Sequence, residues 1–128
     1  MPFAPAVLSA LIMIDTINVL ATLVTIGFGL FGFLAPRYTA AALDLKPDGS
    51  TMGLSEMRAS VGGLFVVMGL AALWLQHPLG FAMIGFGFVG AVAGRGLSLF
   101  IDKPPVRNLL IFAAVEGFLA AWFLAANL

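Results

Sequence analysis

The sequence predicts an all-α protein that crosses a membrane four times, a four-transmembrane-helix bundle. Hydrophobic residues make up 62% of the 128 residues and charged residues only 9%, whereas soluble domains carry about 25% charged residues. The few charges are also spaced so that long uncharged segments separate them. Each crossing of a membrane core needs about 20 apolar helical residues. The chain therefore has room for one integral membrane domain of four such helices.

The first predicted span covers about residues 14–35 and is closed by Pro36 and Arg37. The apolar stretch before it, residues 3–13, either extends this helix or lies in the membrane interface. This stretch lacks the basic start and the small-residue cleavage site of a secretory signal. We therefore expect it to belong to the mature protein.

The sizeable loop of the chain follows, at residues 36–55, and it is long for a connection within a helix bundle. Residues 38–45 are predicted to form a short amphipathic segment, and residues 47–50, Pro-Asp-Gly-Ser, a turn. Ser55 is the expected N-cap of the second span, because its hydroxyl can accept a free backbone N–H.

The uncharged segment between Arg58 and Arg95 is too long for one crossing. As a single helix it would measure about 54 Å, against a membrane core of about 30 Å. Gln76-His77-Pro78 in its middle is typical of a tight turn, and Asp102-Lys103-Pro104-Pro105 ends the helix that follows. The second, third and fourth spans are therefore predicted at about residues 56–75, 79–101 and 106–127.

The basic residues of the loops predict the orientation in the membrane. With these spans, the loops at residues 36–55 and 102–105 share one side and, with the ends of the adjoining helices, hold Arg37, Lys46, Lys103 and Arg107. The positive-inside rule makes this side cytoplasmic, so both termini are expected on the non-cytoplasmic side. Trp74 and Trp122 near the opposite helix ends agree with this orientation, because tryptophan favours the membrane interface.

Two segments of the predicted first and third spans resemble each other. Residues 26–37 read IGFGLFGFLAPR and residues 84–95 read IGFGFVGAVAGR, with seven identities in twelve positions. One interpretation is a parallel duplication of a two-helix hairpin. The other is shared composition, since glycine and phenylalanine are abundant in the chain. The sequence leaves both interpretations open.

Small residues on the third span predict a packed helix face. They recur at spacings of three and four residues and include a GxxxG match from Gly90 to Gly94. Small side chains let helices approach closely in lipid, so we favour helix packing over a ligand groove. Gly62 and Gly63 of the second span are the expected facing partners. The predicted packing residues are Gly62, Gly63, Gly87, Gly90, Ala91 and Gly94.

Ionisable residues at membrane depth are costly and usually face a bundle interior. Glu116 lies about 13 Å along its helix from Arg107, and Arg95 about 10 Å from Asp102, so we predict that Arg95 and Glu116 pair. The predicted polar cluster comprises Glu56, Arg58, Arg95, Ser98, Asp102 and Glu116. It forms either a structural network or a small site for an amphipathic ligand such as a lipid headgroup or a quinone. Asp15 and Asn18 are expected to lie in the interface.

Several classes of function are excluded by composition. The chain has no cysteine and one histidine, His77, which lies in a predicted outer turn. A metal site, a haem ligand set and a Ser/His/Asp catalytic set therefore lack their residues. The balanced charge gives no basic surface for nucleic acid. We accordingly expect no enzymatic activity, no catalytic residue and no cofactor.

The polar residues of spans two to four occur in a characteristic order. They are Ser55-Glu56-Met57-Arg58-Ala59, Gly62-Gly63, Gly94-Arg95 with Ser98 and Asp102, and Glu116. This pattern resembles a bacterial domain-of-unknown-function family of small four-helix membrane proteins, broadly similar in architecture to DoxX-like proteins. The resemblance covers roughly residues 55–127. It implies that Glu56, Arg58, Arg95 and Glu116 are signature positions and that the protein lies in the bacterial inner membrane, but it implies no activity.

The functional expectation is a non-enzymatic accessory or scaffold subunit. Such a protein would pack its glycine-rich and phenylalanine-rich helices against lipid, against other membrane subunits or against copies of itself. The alternative is a small carrier or binder of an amphipathic ligand at Glu116 and Arg95. Drug–proton antiport, as in small multidrug transporters of the same size, is not expected, because the first-helix acid Asp15 lies at the outer helix end.

Overall fold

A computed structural model describes residues 4–128, and all regular structure in this range is helical. The helices are α1 (Pro5–Leu34), α2 (Pro36–Ala42), α3 (Met52–Leu75), α4 (Pro78–Ile101) and α5 (Val106–Asn127). Four of them, α1, α3, α4 and α5, are long and apolar enough to cross a membrane. The predicted all-α fold class with four membrane-length helices is confirmed. The membrane sides of the termini stay a prediction.

Two compact units make up the chain. The first ends at Leu75 and the second runs from Gln76 to Leu128. The first unit contains α1, α2 and α3, and the second contains α4 and α5. Each unit is therefore built on one pair of long helices.

Helix α1 begins earlier than the sequence predicted, at Pro5 instead of about residue 14. The apolar stretch before residue 14 thus extends the helix, apart from Phe3, which lies outside the described residues. Proline suits the first helical position, where its missing N–H would have no partner. The helix ends at Leu34 because Pro36 cannot donate the next backbone bond.

The connection between α1 and α3 contains a shorter helix than expected. Helix α2 covers Pro36–Ala42, whereas residues 38–45 were predicted. Gly49 has a positive φ of 74°, and it lies within the predicted turn at residues 47–50. The prediction that Ser55 caps the second span is wrong, because α3 already begins at Met52. The N-cap residue is Thr51, which makes no side-chain cap bond, and the Ser50 hydroxyl before it accepts the Met52 N–H at 3.3 Å.

Helix α3 contains a π-helical segment, Met57–Gly63, between two α-helical parts. Such segments are rare and widen the helix locally. Gly62 within this segment lies directly against α1, where a Cβ on Gly62 would be 2.5 Å from the Phe33 nitrogen. The observed partners of Gly62 are Gly32 and Phe33 of α1, whereas the glycines of the third span were expected.

The first unit is held together by a stripe of small and polar residues on α1. The stripe consists of Asn18, Thr22, Thr25, Gly29 and Gly32, all of which are buried. Its spacing of four, three, four and three residues keeps it on one helix face. Gly69 of α3 lies beside Thr22 of α1, and Gly62 of α3 lies beside Gly32 of α1. Residue numbers thus decrease along α3 where they increase along α1, so the two helices are antiparallel.

The buried threonines of this stripe are satisfied within their own helix. The Thr22 hydroxyl donates to the Asn18 carbonyl at 2.7 Å, and the Thr25 hydroxyl donates to the Ala21 carbonyl at 2.9 Å. Since an unsatisfied buried hydroxyl would be costly, these bonds allow polar side chains in a helix interface.

The second unit is a hairpin of α4 and α5. Helix α4 begins at Pro78, and the His77 ring accepts the Leu79 N–H at 3.2 Å, which confirms the predicted turn. The Phe88 and Phe123 rings stack across the hairpin with centroids 6.5 Å apart, and Phe123 is fully buried. At the other end of α4, Lys103 takes a left-handed conformation before Val106 opens α5.

The packed face of α4 differs from the predicted one. Gly87, Gly90 and Gly94 are exposed, and Ala91 is half-buried. The buried residues of α4 are Phe81, Ala82, Ile84, Gly85 and Phe88. Helix α5 thus packs against the face with the larger side chains, because their burial gains more than the approach of small residues.

The two resembling segments have different surroundings. Gly27 has open space around it, whereas the aligned Gly85 packs against Phe123 and Leu124. Gly32 packs against Gly62, whereas the aligned Gly90 has open space. Aligned glycines therefore have different packing in the two units, and the duplication stays a prediction.

Candidate functional site

The candidate site lies in the second unit, where α4 and α5 each carry one charge in the apolar interior of a membrane-length helix, apart from Arg107 at the start of α5. Arg95 belongs to α4 and Glu116 to α5. Helices α4 and α5 are antiparallel, and the Phe88–Phe123 contact fixes their register. Arg95 follows Phe88 by seven residues and Glu116 precedes Phe123 by seven. Arg95 and Glu116 therefore both lie about two helical turns from this contact, at the same level. The predicted pairing of Arg95 with Glu116 is confirmed.

The Arg95–Glu116 pair is bidentate. The Arg95 Nε donates to the Glu116 Oε2 at 2.6 Å, and a terminal guanidinium nitrogen donates to Oε1 at 2.7 Å. Two parallel bonds of this kind fix the planes of both groups and are stronger than bonds between neutral groups. The side chains are 30% and 18% exposed, so the pair is largely withdrawn from the surface.

An aromatic ring completes the surroundings of Arg95. The guanidinium carbon lies 5.1 Å from the centroid of Phe112, within the range of a cation–π contact. Phe112 precedes Glu116 by four residues, so one face of α5 presents both the ring and the carboxylate. The sequence analysis missed Phe112, although its spacing from Glu116 could have identified it.

The arrangement neutralises two charges and leaves a limited polar surface. Both carboxylate oxygens of Glu116 accept a bond from Arg95, which leaves three of the five guanidinium N–H donors outside this pair. Within residues 4–128 there is no group of three or more His, Asp or Glu residues that could hold a metal ion. The geometry therefore suits charge compensation in an apolar environment and offers one cationic edge to a ligand.

Ser98 and Asp102 lie farther along α4 towards its end. The Ser98 carbonyl accepts the backbone N–H of Asp102 at 2.8 Å and that of Lys103 at 3.1 Å. These bonds close the last turn of the helix. Ser98 is half-buried and Asp102 is exposed.

Glu56 and Arg58 belong to the first unit and have local partners there. The Ser60 hydroxyl donates to Glu56 Oε1 at 3.0 Å. Arg58 donates to the Phe33 carbonyl at the end of α1, where Pro36 leaves carbonyls without a helical partner. The convergence of all six predicted polar residues on one site stays a prediction.

Asn18 and Asp15 have different positions. Asp15 is exposed, whereas Asn18 is 2% exposed and belongs to the buried stripe of α1. Asn18 therefore packs within the first unit, and its depth in the membrane stays a prediction. Its spacing from Thr22, Thr25, Gly29 and Gly32 is the signal that identifies its buried position.

Four membrane-length helices and an ion pair inside one helical hairpin define a small membrane protein. The family model of a domain of unknown function, DUF4345, matches residues 13–127. The chain therefore belongs to the DUF4345 family, and the predicted resemblance to an uncharacterised family is confirmed at this level. No curated protein and no solved structure shows a significant match to the chain.

Proposed function

We propose that this small membrane protein is a non-enzymatic accessory subunit that packs against another membrane protein within the membrane. The observation that carries the proposal is the small-residue face of α4, defined as Gly87, Gly90 and Gly94. All three residues are exposed and lie at spacings of three and four along one face of a membrane-length helix.

The small-residue face is shaped for another helix. No atom of the second unit, which is described throughout, lies within 4 Å of a Cβ placed on Gly90 or Gly94. Glycine in a helix interior costs about 1 kcal/mol relative to alanine. Exposed glycines on one helix face are explained if a partner helix approaches their backbone closely, as small residues permit in lipid.

The location and orientation complete the proposal. The bacterial inner membrane is supported by the sequence resemblance, and termini on the non-cytoplasmic side are supported by the loop lysines and arginines. Lipid surrounds the remaining apolar surface in this proposal. Neither a cofactor nor a catalytic residue forms part of it.

A second candidate is a carrier or binder of an amphipathic ligand at Arg95 and Glu116. The partial exposure of Arg95 supports it, because a polar headgroup could reach the guanidinium edge. We rank this candidate second because Glu116 already occupies two donors of Arg95. A ligand would have to compete with a well-formed bidentate pair.

Native mass spectrometry of protein extracted from its own membrane in mild detergent tests the proposal. We expect a reproducible mass that contains other membrane subunits. Gly94→Leu should weaken the association about fivefold or more, because overpacking costs about 1–3 kcal/mol and about 1.4 kcal/mol is tenfold in affinity. Gly96→Leu is the matched control, since Gly96 is also exposed on α4 but faces another direction.

Substitutions of Arg95 and Glu116 distinguish the accessory role from the carrier role. The double variant Arg95→Met/Glu116→Gln should keep the association with a partner subunit. A monomer or homo-oligomer that retains a small mass, lost in Glu116→Gln, would contradict the accessory role and favour the carrier.

A further inference from the structure

A groove in the first unit lies where α1 ends and where α2 and α3 begin. Its volume is about 670 Å³, within the range of about 300–1,000 Å³ that is usual for small-molecule sites. Arg37, Tyr38, Ser55 and Arg58 provide its polar lining, and Leu34 and Leu54 are part of its apolar lining. The lining thus joins cationic and apolar surface at the ends of two membrane-length helices.

The groove carries uncompensated positive charge. Arg37 and Arg58 line it, and no aspartate or glutamate does. Among residues 4–128, the ion pair is Arg95–Glu116, so neither groove arginine has a carboxylate partner. Arg58 uses one terminal nitrogen for the Phe33 carbonyl and keeps its other guanidinium donors. Two arginines and nearby hydroxyls can together surround an oxyanion.

The position of the groove distinguishes a lipid from a free anion. Apolar surface of α1 continues from the groove, because Leu34 lines the groove, Phe31 contacts the groove residue Tyr38 with ring centroids 6.0 Å apart, and both Leu34 and Phe31 are exposed. An acyl chain could lie on this surface while its headgroup occupies the polar end of the groove. Inorganic phosphate would make no use of the apolar lining.

We propose that this groove binds an anionic phospholipid, with Arg37 and Arg58 contacting its phosphate. Guanidinium groups match phosphate geometry, because their planar donors can bind two oxygens at once. Basic pockets between membrane helices are suited to anionic headgroups for the same reason. The site is independent of the small-residue face of α4 and of the Arg95–Glu116 pair.

Native mass spectrometry with added lipid tests this site on the full chain in mild detergent. We expect one phosphatidylglycerol per chain in a saturable manner, and binding of phosphatidylcholine at least about tenfold weaker. Arg37→Gln should weaken phosphatidylglycerol binding about fivefold, because a basic residue near an anionic headgroup contributes about 1 kcal/mol. Arg37 is exposed, so the substitution leaves the helix packing intact.

Two further variants keep the result decisive. Lys103→Gln/Arg107→Gln removes twice the charge of Arg37→Gln but from the second unit, and should leave the affinity within about twofold. Arg58→Lys keeps the charge and a donor for Phe33, so it should weaken binding less than Arg58→Gln. If Arg58→Gln fails to fold, Arg37→Gln and its control pair decide the question alone.

Three outcomes would overturn the proposal. Equal losses in Arg37→Gln and in the control pair would indicate diffuse surface attraction. Equal binding of phosphatidylglycerol and phosphatidylcholine would remove the role of headgroup charge. Displacement of the lipid by inorganic phosphate at the same concentration would identify a free-anion site instead.

Discussion

Gly62 of α3 lies against Gly32 of α1 so closely that a Cβ on Gly32 would be 3.0 Å from the Gly62 nitrogen. The neighbouring atoms on both sides are backbone atoms, which cannot move aside as a flexible side chain can. Gly62 also lies in the π-helical segment of α3. The first unit therefore depends on the absence of side chains at this crossing.

We expect Gly62→Ala to destabilise the first unit. Its Cβ would lie 2.5 Å from the Phe33 nitrogen and 2.7 Å from the Phe33 Cα, so the helices must separate. Overpacking of this kind costs about 1–3 kcal/mol, which exceeds the gain of about 1 kcal/mol from alanine in a helix over most of that range. The free energy of unfolding in mixed detergent micelles measures the difference.

Gly27→Ala is the matched control for this substitution. Gly27 lies in α1 and has open space around it, so alanine should stabilise the protein or leave it unchanged. Equal stability of the two variants would contradict the close helix crossing.

The Arg95–Glu116 pair should show strong energetic coupling. Arg95→Met leaves a carboxylate in apolar surroundings, whereas Glu116→Gln leaves an arginine whose long side chain can extend to the membrane interface. We expect Arg95→Met to be the more destabilising change and the double variant Arg95→Met/Glu116→Gln to recover part of the loss. A double-mutant cycle of unfolding free energies should give a coupling of about 1–3 kcal/mol. Additive effects would show that the pair does not contribute as a unit.

Phe112 is expected to stabilise the protein through its cation–π contact with Arg95. Phe112→Leu removes the ring beneath the guanidinium and should cost about 0.5–2 kcal/mol beyond the loss of buried area. Phe118→Leu on the same helix is the control, because Phe118 is 74% exposed. In an Arg95→Met background the Phe112→Leu effect should shrink to the loss of buried area alone, and an unchanged effect would rule out the cation–π contribution.

The four long helices and most of their ends could be predicted from the sequence. Apolar segments of about 20 residues have few alternatives to a membrane helix, and prolines mark where helices start or stop. The turns around His77 and before Val106 could therefore be predicted closely. The start of α1 could not, because no charge or turn signal separates residues 5–13 from the span that follows.

The packed helix faces were harder to predict. Every face of α4 is largely apolar, so periodicity does not identify the buried one. The small residues indicated Gly87, Gly90 and Gly94, whereas α5 packs on the face that includes Phe88. The π-helical segment of α3, which includes Gly62 at the contact with α1, was not predicted from the sequence.

The site was predictable where electrostatics dominates. Two charges within apolar helices have a strong reason to meet, and Arg95 and Glu116 do meet. Arg58 has no carboxylate partner among the described residues, and its donor goes to the Phe33 carbonyl. That carbonyl lacks a helical partner because Pro36 interrupts the helix. Its contact with Arg58 could not be predicted from the sequence, because it depends on how α1 packs against α3.

Photo-crosslinking in the native membrane tests the accessory role most directly. A photoreactive phenylalanine analogue replaces Met83 in one variant and Phe100 in the other, because both are exposed, bulky residues of α4 and only Met83 lies on the helix face of Gly87, Gly90 and Gly94. We predict that the Met83 variant forms an adduct with one other membrane subunit and that the Phe100 variant forms mainly lipid adducts. Adducts of the Met83 variant with lipid alone, or with its own first unit, would contradict the accessory role.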